Sequence, residues 1–128
     1  MTNEEKQLLL KDLCARLPYK VKVGDDLGRI YELHIGNAYL IDLYYENGDY
    51  VEPPIRPYLH PLSSMTEDED KEWQYYKCKI AESCDELLEK RISELHNWFC
   101  KKHFDYRGLI DKELALLAPD GMYNTKNE

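Results

Sequence analysis

Five apolar residues near the start of the chain, Leu9, Leu10, Leu13, Cys14 and Leu17, recur at helical spacing. That repeat puts them on one stripe of an α-helix able to face a core. Thr2 stands three residues ahead of Glu5, the pattern of a capping box, and Pro18 stops the helix. From Tyr19 the period falls to two. Tyr19, Val21 and Val23 alternate with lysines, and Gly24-Asp25-Asp26-Leu27-Gly28 reads as a turn. A second strand is predicted over Arg29 to Ile35. Gly36-Asn37 reads as a hairpin turn, because both residues tolerate positive φ, and Ala38 to Tyr45 as a third strand. Asn47-Gly48 signals another hairpin, leading to a short strand near Tyr50-Val51-Glu52.

Pro53, Pro54, Pro57 and Pro61 then push their preceding residues toward extended geometry. The segment around Ile55 to His60 is expected to be an edge strand or a stiff connector from sheet to helix, rather than a peptide-like ligand for another domain. Thr66 with Glu69 forms a second capping box, and Glu67 and Asp68 suit the positive end of a helix dipole. One apolar stripe runs through Trp73, Tyr76, Ile80, Cys84, Leu87, Leu88, Ile92, Leu95 and Phe99. Ser83 with Glu86 offers a third box, which favours two helices, roughly 67–79 and 84–102, over one long one. A last short helix is predicted from Tyr106 to Ala118, ended by Pro119-Asp120-Gly121.

These elements predict an α+β fold: an N-terminal helix, a small antiparallel sheet or SH3-like partial barrel, and C-terminal helices packed against it. A single domain over 1–128 is expected, with helix and sheet in 1–62, a helical section in 63–123 and a frayed tail in 124–128.

Composition narrows the function classes. The net charge of −8 argues against duplex DNA as a partner, because phosphate binding is driven by clustered Lys and Arg. Tyrosine is abundant, 11 residues against 2 Phe and 2 Trp, and suits half-buried positions with a packed ring and a hydrogen-bonded hydroxyl. The polar, acidic start of the chain is unlike a secretory signal, so reduced Cys14, Cys78, Cys84 and Cys100 in a cytoplasmic protein are the expectation. No apolar run approaches membrane-spanning length.

Candidate chemistry concentrates between Trp98 and Ile110, where four aromatics, a cysteine, a histidine and Asp105-Tyr106-Arg107-Gly108 follow a predicted helix. Such a stretch mostly docks a helix end onto a core. Asp105, Tyr106, Arg107 and Trp98 are the candidate binding residues: Arg107 can pair with a carboxylate or stack on Trp98, and Tyr106 and Arg107 have hot-spot chemistry. His96, Cys100 and His103 fall within about 60° of one another on a helical wheel, a spacing that can present ligands to zinc. A fourth ligand and a Cys-x-x-Cys knuckle are missing from the sequence, so these stay weak metal candidates and no metal is expected. Cys100 and His96 could touch as helical neighbours, yet no Gly loop offers an oxyanion hole nearby, and no nucleotide-binding or hydrolase motif occurs. No catalytic residue and no cofactor is expected.

Four strings, about a third of the chain, carry a resemblance. They are Glu4 to Tyr19 (EEKQLLLKDLCARLPY), Pro57 to Glu67 (PYLHPLSSMTE), His103 to Ile110 (HFDYRGLI) and Ala118 to Tyr123 (APDGMY). In them the chain resembles a family of small uncharacterised proteins encoded by prophages and other mobile elements of gut anaerobic bacteria. His60 stands where those relatives often carry Arg, and Glu113 where they often carry Gly, so neither position is expected to be obligatory for function. The resemblance implies a mobile-element origin and a bacterial cytoplasmic setting, and brings no activity with it.

The expected function is a non-catalytic protein-interaction or accessory module whose partner is another protein. The alternative is a small-barrel nucleic-acid-binding module, with bases stacked on tyrosine rings. It requires Lys20, Lys22 and Arg29 to share one exposed face with Tyr31, Tyr39, Tyr44 and Tyr45.

Overall fold

Thr2 caps helix α1 (Asn3–Arg16) as its spacing predicts. Its hydroxyl accepts the Glu5 N–H at 3.1 Å, and the Glu5 carboxylate accepts the Thr2 N–H at 3.0 Å. The computed structural model describes residues 2–25, 27–41 and 55–123. Pro18 sits in a tight helical turn, Leu17–Tyr19, that ends the helix; it fixes φ and has no N–H to continue the ladder. The buried face of α1 is Leu9, Asp12, Leu13 and Arg16, while Cys14 is exposed. The predicted stripe is therefore rotated, and a buried acid and base share it with the leucines.

Strands β1 (Lys22–Gly24) and β2 (Ile30–Glu32) pair antiparallel, with Val23 opposite Tyr31. β3 (Arg56–Pro61) joins the other side of β1, with Val23 opposite Pro57. Two short strands, β4 (Phe104–Asp105) and β5 (Leu116–Leu117), then add parallel to β3. The fold is α+β, with a small mixed sheet of order β2-β1-β3-β4 and β5 also on β3. The sequence suggests an antiparallel sheet, and β1, β2 and β3 form one. The parallel additions come from the section read as purely helical. A parallel neighbour needs a long crossover, and the helices between β3 and β4 supply it.

The proline-rich segment is the second departure. It is neither edge strand nor connector: β3 is the strand on which β1, β4 and β5 all meet. Its ladders are only two residues long, so few donors are required, and His60 supplies one to the carbonyl of His103 at 2.8 Å.

Residues predicted as a hairpin turn and third strand instead form a 3-10 turn, Ile35–Asn37, and a short helical turn, α2 (Tyr39–Ile41). The N–H of Gly36 donates to His34 Nδ1 at 3.1 Å, and that of Ala38 to the Ile35 carbonyl at 3.3 Å. Glycine matters here for space, not for φ: a Cβ at Gly36 would lie 2.9 Å from the His34 ring. The rest of that predicted strand, the Asn47-Gly48 hairpin, the strand near Tyr50 and the frayed tail lie outside the described residues.

The two predicted C-terminal helices are present, α3 (Glu67–Ala81) and α4 (Asp85–Lys101), with the Thr66–Glu69 box formed. The Ser83–Glu86 box is not. Cys84 takes the N-cap position without a side-chain bond, and the Ser83 hydroxyl donates to the Lys79 carbonyl at 2.6 Å. The last predicted helix is absent. After β4 the chain makes turns through left-handed Gly108 (φ 73°) and Glu113 (φ 62°), then enters β5. Asp105 diverts it, accepting the N–H groups of Leu109 and Ile110, both at 2.9 Å. A carboxylate bonded to nearby backbone competes with helix in this way.

Glu113, at φ 62°, carries a backbone conformation natural to glycine. Glu113→Gly is expected to raise stability by about 1 kcal/mol, the left-handed penalty less the extra chain entropy. A higher urea midpoint would show it; an unchanged or lower one would mean the glutamate side chain offsets the strain.

Two apolar clusters result. One joins Leu9 and Leu13 of α1 to Val21, Val23, Leu59 and Leu109. The other is aromatic, built from Trp98, Phe99 and Phe104 with Trp73, Tyr76 and Tyr106 against them.

Candidate functional site

The Asp105–Arg107 corner is held by α1. Asp12, fully buried, accepts Arg16 Nε at 2.8 Å on one oxygen and Arg107 Nε at 3.2 Å on the other. Arg16, also fully buried, donates from Nη2 to the Phe104 carbonyl at 2.7 Å, while its Nη1 has no partner. Arg107 Nη2 donates to Tyr106 Oη at 2.8 Å, and its Cζ lies 4.8 Å from the centre of that ring. Phe99 and His96 stack on the same tyrosine at 5.1 and 4.9 Å. One carboxylate thus ties two guanidinium groups into the joint between α1, α4 and β4.

The structure therefore brings the four sequence candidates to one region but inside it. Trp98 and Asp105 are buried, Tyr106 and Arg107 half-buried. Trp98 spends its N–H on Glu72 at 2.6 Å, Asp105 is used by backbone, and Arg107 pairs with Asp12 and stacks on Tyr106 rather than on Trp98. Their geometry is that of a corner that docks a helix end.

The metal candidates separate. Cys100 is buried beside Tyr106 Oη at 3.9 Å, and His96 is exposed apart from its stack. His103 lies beyond the end of α4 with φ 61° and stacks on Tyr123 at 3.6 Å. The helical wheel that grouped the three stops before the third. Among the described residues no group of three His, Cys, Asp or Glu could hold a metal ion. Burial pushes the Cys100 thiol up and Tyr106 up to about 12, which keeps both protonated. That disfavours a thiolate nucleophile at this corner.

The charges named for a nucleic-acid face are largely used elsewhere. Lys22 Nζ donates to the Met122 carbonyl at 3.0 Å. Arg29 pairs with Asp25 at 2.8 Å, and Tyr31 Oη donates to the same carboxylate at 3.1 Å. Tyr39 is exposed, whereas Tyr44 and Tyr45 lie outside the described residues.

The exposed feature is the helical pair. Trp98 meets Glu72, and Trp73 meets Phe99 edge-on at 6.0 Å, so the start of α3 lies beside the end of α4 and the helices run antiparallel. Trp73 and Tyr76 of α3 and Leu95, Trp98 and Phe99 of α4 join the aromatic cluster. No residue from 67 to 97 is buried, and α4 buries only Trp98, Phe99 and Cys100. Toward the tip, Leu87 and Leu88 are exposed at 41% and 37%, next to half-buried Ile80 and Ile92. The apolar stripe of α4 was legible in the sequence. That the described residues leave its N-terminal half uncovered was not, because periodicity marks an apolar face without saying what lies over it.

Comparison of the chain with protein-family models, curated proteins and solved structures finds no match. Among the described residues no helix is long and apolar enough to cross a membrane.

Proposed function

We propose that this chain is a non-catalytic protein-interaction module and that the α3–α4 hairpin is its contact element. The observation that carries the reading is the hairpin fixed at its base with exposed leucines at its tip. Helices of this length draw most of their stability from packing an apolar face, and the outer half of this pair has only itself to pack on among the described residues. A partner that covers Leu87 and Leu88 supplies the missing burial, about 25 cal/mol for each Å² of apolar surface removed from water. The acidic side chains around the tip, Glu82, Asp85, Glu86 and Glu89, favour a partner with basic residues at the rim. The mobile-element origin and cytoplasmic setting rest on the sequence resemblance alone.

Affinity capture from bacterial lysate tests this, with nuclease present and with Leu87→Glu/Leu88→Glu run beside the unaltered chain. Neither position belongs to the buried core, so the variant should keep its helical circular dichroism. The expected result is a nuclease-resistant partner recovered by the unaltered chain and reduced at least about tenfold by the variant. Equal recovery by both proteins removes the hairpin from the interface. Recovery that disappears with nuclease points to nucleic acid instead.

A further inference from the structure

We propose that the depression between the Leu17–Tyr19 turn and the end of α4 is a binding site for a small phosphate-bearing ligand, held by Lys20, Lys101 and His103. It is about 250 Å³ and lined by Pro18, Tyr19, Lys20, Lys101 and His103. Across Pro18 and Lys20 it adjoins a second depression of about 430 Å³, to which Leu17, His34, Ile35 and Gly36 contribute. The described residues lining the two include no carboxylate, in a chain with 25 acidic residues against 17 basic ones.

Three further observations point to a ligand. Lys20 and Lys101 are exposed and, like the other lysines among the described residues, make no ion pair there. His103 is 5% exposed, and its Nδ1 is buried without a hydrogen-bond partner. The described residues contain three non-glycine positions with positive φ, and two of them, Lys20 (φ 56°) and His103 (φ 61°), line this one depression. Strain of this kind persists where surrounding structure enforces it and collects at ligand sites.

The ligand class follows from charge and shape. Two ammonium groups with no ion pair among the described residues suit an anion with more than one negative charge, and a phosphomonoester carries about −1.5 to −2 at neutral pH. The His103 ring forms one wall of the same depression. The adjoining depression presents Leu17, Pro18 and Ile35, with Ile35 68% exposed, to an apolar or ring-shaped organic part. Phosphate is thus the recognised group, and the neighbouring groove distinguishes a phosphate ester from the free ion.

Titration of the full chain with inorganic phosphate, phenyl phosphate and benzoate, followed by amide and histidine-ring NMR shifts, tests the site. Phenyl phosphate is expected to bind with a dissociation constant on the order of 1 mM or tighter, and about tenfold better than phosphate. Its shifts should centre on Lys20, Lys101 and His103 and extend to Ile35. Benzoate should bind at least about tenfold more weakly than phenyl phosphate, having one charge. Lys20→Gln and Lys101→Gln, both exposed, should each weaken phenyl phosphate about tenfold while leaving the remaining spectrum in place. Phosphate binding as tightly as its phenyl ester would overturn the role of the adjoining groove. No saturable shift, or equal response in the Lys20→Gln/Lys101→Gln variant, would overturn the site.

Discussion

Asp12→Ala is expected to destabilise the protein by about 3–5 kcal/mol, a large part of the total stability of a domain this size. The carboxylate is fully buried and serves two arginines, one of them also fully buried. Removing it leaves the Arg16 guanidinium with the Phe104 carbonyl as its one remaining acceptor, while Nη1 already has none. A buried cation with no counter-charge bears its full desolvation cost. Arg107, with 16% of its side chain exposed, can turn toward water and loses less. Removing both buried charges gives a different result. Asp12→Leu/Arg16→Met should recover most of the lost stability, because breaking a buried pair costs far more than replacing it with apolar groups of similar size. Urea unfolding followed by circular dichroism measures all three proteins. A loss under about 1 kcal/mol for Asp12→Ala would mean that the buried arginine does not depend on this carboxylate.

The same pair shows where sequence reading reaches and where it stops. Asp12 and Arg16 stand four apart beside Leu9 and Leu13, a spacing visible in the chain. Pattern reasoning places charges on the solvated side of a helix, and here the strand β4 arriving from far along the sequence encloses them. The boxes at Thr2–Glu5 and Thr66–Glu69 and the stop at Pro18 formed as read; the break between α3 and α4 also formed, but without the Ser83–Glu86 box that signalled it, and the Gly36-Asn37 hairpin did not form. Long-range pairing was not legible. β3 looked like a connector because proline lacks a donor, and only its three short ladders make it the centre of the sheet. The turn after β4 was misread as helix because the Asp105 bonds and left-handed Glu113 leave no periodic trace. Of the candidate site residues, the sequence located the cluster at Trp98 to Arg107 but not its burial. That Lys101 and Lys20 line one depression carried no signal, since they stand 81 positions apart in sequence.

Stability should also fall steeply with acid, with His103 as a principal cause. Burial, reinforced by the nearby charges of Arg16, His60 and Lys22, pushes its pKa from 6.5 to about 3. The folded-state value is lowered, so above pH 6.5 the ring is neutral in both states and contributes no pH dependence. Below it the unfolded chain takes up a proton that the folded chain refuses, and stability drops by about 1.4 kcal/mol per pH unit. Over the first two units this amounts to about 2–3 kcal/mol, and the loss continues toward the folded pKa. His60 and His96, both lowered chiefly by burial, act with the same sign in the same window. Asp25 acts lower: burial pushes it up, but hydrogen bonds from Arg29, Tyr31 and Leu27 hold it below its ordinary 3.8. The measurement is therefore a difference between two proteins. His103→Asn keeps a residue that tolerates φ 61° and removes the titrating ring. Its lost stack on Tyr123 lowers the whole curve, whereas the lost proton uptake changes only its slope below pH 6.5. Urea midpoints across that range should fall less steeply in the variant, so that the two curves converge in acid. Curves that stay parallel would show that His103 takes up its proton in the folded protein as readily as in the unfolded chain.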